Sequence, residues 1–344
     1  MLNETKDSIQ TKISPYIASL IKTKKMKNLF RTSLLALAII FTSCSDDDDQ
    51  TLPAETNTIV DIVAGNPDFS TLGSALAITN LTSVLVSEGP FTVFAPTNDA
   101  FADFLTANGF ATLEDVPVDA LASTLLNHVV GGINNAADLS TGYINTSATF
   151  NGEADAPLSM YVNTTQGVML NGISSVTTAD VSADNGVIHI VDAVITLPSV
   201  VTFAAADAAT FSELVGALTR ADQPDYVSVL TTANGTAPAP FTVFAPTNQA
   251  FADLYAELGV AGIDDVDGAI LTATLNTHVV AGANVRAEDL VTGTVATLGD
   301  AVEIDATTAI ITDPNGRTSQ VIVTNVQAAN GVIHAIDTVL LPQL

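Results

Sequence analysis

Apolar and polar positions fall into distinct regimes along this chain. Near the N-terminus, Met26 opens a stretch in which Lys27 and Arg31 precede the uninterrupted run Leu34, Leu35, Ala36, Leu37, Ala38, Ile39, Ile40 and Phe41. That run is well short of the roughly 20 apolar residues that span a bilayer. Its order, basic then apolar then the small residues Thr42 and Ser43, predicts an export signal over 26–43. Further on, short strand-like runs mix with segments of helical period. Phe91 to Ala95 reads as a strand that must stop at Pro96, after which Thr97 or Asn98 can cap a helix carrying Phe101, Phe104 and Leu105. Leu121, Leu125 and His128 fall on one helical face. Asn185-Gly186 predicts a tight hairpin turn between strands at Ser175 to Ala183 and Val187 to Ile195. Strands and helices mix without a regular βαβ alternation, which argues for an α+β class.

Self-similarity then sets the architecture. Phe91-Thr92-Val93-Phe94-Ala95-Pro96-Thr97-Asn98 returns as Phe241-Thr242-Val243-Phe244-Ala245-Pro246-Thr247-Asn248. His128-Val129-Val130 returns as His278-Val279-Val280, and Asn185-Gly186-Val187-Ile188-His189 as Asn330-Gly331-Val332-Ile333-His334. Upstream, Phe69-Ser70 and Leu72 parallel Phe211-Ser212 and Leu214. The offset between copies changes from motif to motif, so insertions fall between motifs, as loops vary on a retained core. Thr232 to Pro240, rich in Ala, Pro and Gly, reads as one such insertion. The expected units are 56–198 and 199–344, with Pro198 closing the first and almost no linker before Val200. Such a junction predicts two domains packed close together.

The Thr-Val-Phe-Ala-Pro-Thr-Asn block and the Asn-Gly-Val-Ile-His block, closed by Asp192 and by Asp337, resemble the two signature segments of fasciclin domains, twice and in the right order. The resemblance implies two tandem fasciclin-like domains, each a β-sandwich or wedge flanked by helices, with a role in cell adhesion or matrix attachment. Family members often carry Tyr-His between the signatures. Here Asn127 precedes His128 and Thr277 precedes His278, so an animal-type integrin role does not carry over, and a bacterial or glycan partner fits better.

Cys44 is the sole cysteine, so no intrachain disulfide is available. Lying directly after the apolar segment, it resembles the acylated cysteine of bacterial lipoproteins, although Phe41 stands where that motif commonly has Leu. Ser45, Asp46, Asp47, Asp48 and Asp49 read as a solvated tether over 44–55. They also resemble the acidic signal that directs lipoproteins of Bacteroidetes-type bacteria to the outer face of the outer membrane. Multiple acyl chains on Cys44 would give stable membrane anchoring. Residues 1–25, which include Lys22, Lys24 and Lys25, are either a start-site extension upstream of Met26 or an extended basic region of the signal.

Charge narrows the partners. Seven of the ten Lys and Arg lie before Cys44, leaving Arg220, Arg286 and Arg317 beside 35 of the 37 acidic residues. A chain this acidic repels phosphate backbones and offers no clustered cations, which excludes nucleic acid. Asp264, Asp265 and Asp267 lack the spacing and turn glycine of a calcium-binding hand.

All four histidines, His128, His189, His278 and His334, occupy paired repeat positions. One reading makes His128, His189 and Asp192 a metal or acid-base site. The other has each imidazole satisfied by backbone groups, and recurrence at equivalent positions favours it, since scaffold needs recur with every copy. The same structural reading covers Thr97, Asn98, Asn185, Gly186, Thr247, Asn248, Asn330, Gly331 and Asp337. No nucleophile elbow, phosphate loop or zinc-protease motif occurs, no cofactor is implied, and the expected role is non-enzymatic. With Trp absent and Tyr143, Tyr161, Tyr226 and Tyr255 the tyrosines of the two units, aromatic platforms for sugar stacking are sparse. The expected function is a surface lipoprotein of the cell envelope that attaches to cells, matrix or polysaccharide. The alternatives are a periplasmic or surface small-ligand binder, which would need one apolar pocket in a domain or at the seam, and then a hydrolase.

Overall fold

A computed structural model describes residues 57–343. The export segment, Cys44, the acidic run Ser45 to Asp49 and the 44–55 tether lie outside the described residues.

The first domain opens with helices α1 (Ile59–Gly65), α2 (Ser70–Ile78) and α3 (Thr82–Leu85). The first is started by a reciprocal cap, in which Thr58 accepts from the Asp61 amide and the Asp61 carboxylate accepts from the Thr58 amide. Strand β1 (Phe91–Pro96), helix α4 (Asn98–Ala107), helix α5 (Val118–Leu126) and strands β2 (Val129–Gly131), β3 (Gly142–Thr149), β4 (Pro157–Asn163), β5 (Met169–Leu170), β6 (Ser174–Ala183) and β7 (Gly186–Val191) complete it. The second domain repeats the order with α6 (Val200–Ala206), α7 (Ala208–Thr219), α8 (Tyr226–Leu230), β8 (Phe241–Pro246), α9 (Asn248–Leu258), α10 (Gly268–Thr277), β9 (Val279–Ala281), β10 (Gly293–Val295), β11 (Val302–Asp305), β12 (Ile310–Thr312), β13 (Thr318–Ala328) and β14 (Gly331–Ile336).

Each domain builds a seven-stranded sheet, ordered β2-β1-β7-β6-β5-β4-β3 in the first and the mirrored listing β10-β11-β12-β13-β14-β8-β9 in the second. The signature strands β1 and β7 run parallel, as do β8 and β14, and the other pairings are antiparallel. The result is α+β: a curved sheet with helices packed on it. Phe69, Phe101, Leu121 and Val93 fill the layer between helices and sheet in the first domain, and Phe211, Phe251, Leu271 and Val243 do so in the second. A smaller cluster around Phe94 and Met160, and its counterpart around Phe244 and Val302, fills the other side of each sheet.

Local details differ from the sequence reading in instructive ways. The hairpin forms, but Ala183 faces Gly186, so the two turn residues are Asp184 and Asn185 and Gly186 is the first residue of β7. A β-carbon on Gly186 would sit 2.1 Å from the Phe91 carbonyl oxygen, and one on Gly331 would sit 2.3 Å from that of Phe241. Close approach of the parallel strand, rather than turn geometry, requires the glycine. The strand ends at Val191 rather than Ile195, and His128 lies past the end of α5 instead of on its face.

The domains share a buried seam. Tyr161, at 2% exposure, packs into the core cluster of the second domain, with Tyr143 against it. Tyr143 meets Phe203 edge-on at 5.6 Å between centroids. Gln327 donates its backbone N–H to the Ser159 hydroxyl at 3.0 Å, and the Ala329 amide donates to the Pro198 carbonyl at 2.8 Å. Among the described residues no single helix is long and apolar enough to cross a membrane.

Candidate functional site

Polar residues repeated in both copies are the first place to look for chemistry, and each is held by its neighbours. Thr97 caps α4 by accepting from the Ala100 amide at 3.3 Å, and Thr247 caps α9 through the Ala250 amide at 3.2 Å. Asn98 accepts from the Thr71 amide and donates to the Pro67 carbonyl, both at 2.9 Å. Asn248 accepts from the Glu213 amide and donates to the carbonyls of Ala208 and Ala209. These amides tie the helix after the first signature strand to the start of α2 in the first domain and of α7 in the second.

Asn185 is a three-way clamp. Its oxygen accepts from the Ile59 amide at 3.0 Å, and its nitrogen donates to the carbonyls of Leu85 and Ser87. Asn330 repeats this with Val200, Leu230 and Thr232. Buried amide groups left unpaired cost about 1–3 kcal/mol each, which explains why the side chain is an amide in both copies. Asp192 accepts from the Ser175 amide at 2.7 Å, and Asp337 from the Gln320 amide at 2.8 Å, closing the strand pair next to each signature.

Three of the four imidazoles use both ring nitrogens, and His334 uses one. His128 donates from Nδ1 to the Thr124 carbonyl at 2.7 Å and accepts at Nε2 from the Ile195 amide at 2.9 Å. His278 does the same with Thr274 at 2.7 Å and Leu340 at 3.0 Å. One donor and one acceptor per ring specify the neutral form. Burial lowers both pKa values from 6.5 to about 4. His189 bonds through Nε2 to the Asn134 carbonyl at 2.8 Å, accepts at Nδ1 from the Asp180 amide at 3.3 Å, and stacks on Phe94 at 5.4 Å. His334 keeps the Nε2 bond, to the Val285 carbonyl, and the stacking on Phe244, but its Nδ1 has no hydrogen-bond partner. Burial lowers its pKa as well.

His128 and His189 thus serve different backbone groups, and Asp192 bonds to neither. Among the described residues no group of three or more His, Cys, Asp or Glu side chains is arranged to hold a metal ion. The motif residues can hold a fold together. Nucleophile, base and open cleft do not come together among them.

Cavities point the same way. The apolar space under α1 to α3, walled by Ile59, Leu76, Leu85 and Val129, measures about 40 Å³, and its counterpart under α6 to α8 about 20 Å³. Both are far below the roughly 300–1,000 Å³ of small-molecule sites. A larger, half-open groove of about 270 Å³ lies at the free edge of the second sheet, beside β10.

The sequence places the two domains close together but does not identify the residues of the seam. Tyr143 and Tyr161, weighed there as sugar platforms, donate their hydroxyls to the two oxygens of Asp207, at 3.2 and 3.1 Å. Burial and the neighbouring Asp207 carboxylate raise the pKa of both phenols, that of Tyr161 to about 12. Asp207 itself is 6% exposed, at the bend between α6 and α7. The available signal was the break in the repeat: Tyr143 pairs with Tyr161 across β3 and β4 where Thr294 pairs with Glu303 across β10 and β11.

The charged surface is strongly biased. The described residues contain no Lys. Arg220 pairs with Asp222 at 2.7 Å, Arg286 with Glu288 at 2.8 Å, and Arg317 with Glu257 at 3.0 Å. Arg220 and a Gln223 hydrogen bond lower the pKa of Asp222 to about 2.

Comparison with known proteins gives consistent matches. A family model described as the fasciclin domain matches residues 67–198 and again 209–342. Protein sll1483 of Synechocystis sp. is 41% identical over 141 residues, which make up 41% of this chain and 74% of that protein. The transforming growth factor-beta-induced protein ig-h3 of Sus scrofa is 30% identical over 261 residues, 74% of this chain but 35% of that protein. A solved FAS1 domain pair from the insect cell adhesion molecule fasciclin I aligns with a TM-score of 0.45 at 19% identity, over 83% of this chain and 95% of that one.

Proposed function

We propose, on the premise that the chain belongs to the fasciclin domain family, that it is a surface-anchored attachment protein. Domains of this family act in adhesion and binding rather than catalysis. In the proposal, Cys44 carries the lipid anchor, Ser45 to Asp49 form the export signal and tether, and the two domains project from the outer membrane to hold cells, matrix or polysaccharide.

The observation that carries the reading is that the signature residues are turned inward onto backbone groups, with the Nδ1 of His334 as the exception. With Asn98, His128, Asn185 and Asp192 and their repeats all bonded to backbone groups, recognition falls to the outer surface. That surface is presented by two domains locked through Tyr143, Tyr161 and Asp207, so a partner meets a fixed double face. Fixing two faces in advance removes an ordering cost from binding.

The test has two steps. Cys44→Ala is expected to move the chain from the membrane to the soluble fraction without changing its unfolding transition, because the cysteine lies outside both repeats; retention on the membrane would remove the anchor. The released chain, labelled, should then bind producer cells or a polysaccharide panel saturably. Absence of binding to every surface would remove the attachment role.

A further inference from the structure

The half-open groove of the second domain has no counterpart among the scaffold contacts described above. It is walled by Phe244, Val280, Leu290, Val291 and Ile304, with Asp289 on the same wall. Val291 is 76% exposed. An aliphatic side chain that far into solvent, beside an apolar recess, is a rim residue with nothing covering it.

Differences between the repeats explain why the recess opens here. The Nε2 bonds of His189 to Asn134 and of His334 to Val285 fix the alignment. On it, Ser140 is replaced by Val291 and Ile144 by the smaller Val295. Asn134 bonds through its side chain to Thr92, a link that Val285 cannot make. In the first domain β3 runs for eight residues and lies alongside β2. In the second, β10 stops after three. The chain then leaves β11 and is tied to the start of β9 and the end of α10, with Leu298 donating to the Val279 carbonyl and Gly299 to that of Asn276. As the outermost strand, β10 offers its outer backbone groups to an added strand.

Charge selects the occupant. Asp289 lines the groove and Glu303 lies across β10, its carboxylate taking the Thr294 hydroxyl. All three arginines of the described residues are already paired with carboxylates. An approaching anion is repelled by the Asp289 and Glu303 carboxylates, whereas a cation is drawn to them.

We infer that this groove receives an extended segment of a partner protein, seating one leucine-sized apolar side chain beside Val291 with lysine or arginine on either side of it. At about 270 Å³ the groove has room for one bulky side chain of the kind that anchors protein interfaces. The inference rests on the attachment reading and gives its partner a chemistry, a cationic-apolar protein segment rather than an anionic polysaccharide.

The test uses the full chain in detergent and three labelled decapeptides that differ only at their centre: Lys-Leu-Lys, Glu-Leu-Glu and Lys-Gly-Lys. Fluorescence anisotropy should show saturable binding of the first and at least tenfold weaker binding of the other two. Val291→Lys, on an exposed rim, should lose at least fivefold in affinity with its melting temperature unchanged, and Val295→Trp, which fills the recess, should lose at least tenfold. No saturable binding of the leucine peptide overturns the groove, as does equal binding of the glycine peptide or an unaltered affinity in Val291→Lys. Attachment to producer cells is measured in parallel. Wild-type attachment that Val291→Lys leaves intact removes the groove and keeps the attachment reading, whereas no wild-type attachment removes the reading itself.

Discussion

The two domains share nearly every contact inside and differ at the edge where β3 and β10 lie. In the first, Tyr143 and Tyr161 occupy facing positions on β3 and β4 and donate to Asp207 of the second domain. In the second, the same facing positions hold Thr294 and Glu303, which bond to each other instead. Only the first copy is equipped to receive another domain on this face. The signature residues that hold the sheet and helices recur in both copies, with conservative changes such as Ile59 to Val200 around them, whereas Tyr143 and Tyr161, which meet the other domain, are replaced by Thr294 and Glu303. Divergence within a repeat therefore marks the contact surfaces, and identity marks the scaffold.

The comparison is broken most severely at the shared glycines. Gly186→Ala and Gly331→Ala each place a β-carbon within about 2.3 Å of a strand carbonyl. Each should cost more than about 4 kcal/mol, to similar extents in both domains, as read by urea unfolding or by loss of soluble protein. A mild effect in either would remove the close-approach explanation.

The paired histidines come next. His128 and His278 are neutral when buried and ionise near pH 6.5 when unfolded, so the unfolded chain takes up protons first as the pH falls. Stability is full above about pH 6.5 and declines toward pH 4, by on the order of 3 kcal/mol for each histidine. Urea midpoints of wild type and of His128→Gln between pH 7 and 4 should converge as the pH falls. Parallel curves would show that the imidazole does not carry the dependence.

At the seam, Asp207→Ala leaves two phenols without acceptors and should cost about 2–3 kcal/mol. Glu303→Ala, at the position facing outward in the other copy, should stay within about 0.5 kcal/mol of wild type. Equal effects would mean that the two edges do not differ as described. Smallest of all in stability is Val291→Lys, which should change binding at the groove and leave the unfolding transition where it was.

Much of this was legible in the sequence because signature residues answer to local geometry. Phe91 to Pro96 followed by Thr97 reads as a strand, a stop and a cap, and it forms that way. The Asn185-Gly186 pair announced a hairpin, but the reason for each residue lay in contacts distant along the chain: Phe91 opposite the glycine, and Ile59, Leu85 and Ser87 around the asparagine. The seam was legible only as a break in the repeat at Tyr143 and Tyr161, since nothing in their spacing says that Asp207 will lie between them. The groove depends on Ser140 becoming Val291 and Ile144 becoming Val295, small changes whose meaning appears only when the shortened β10 is seen beside them.

The most direct test of the whole account is the binding of the released Cys44→Ala chain to intact producer cells, measured as a saturation curve at several salt concentrations. The account predicts saturable attachment that weakens as salt rises, because an acidic double face recognises a cationic partner. An absence of saturable attachment at every salt concentration would contradict it.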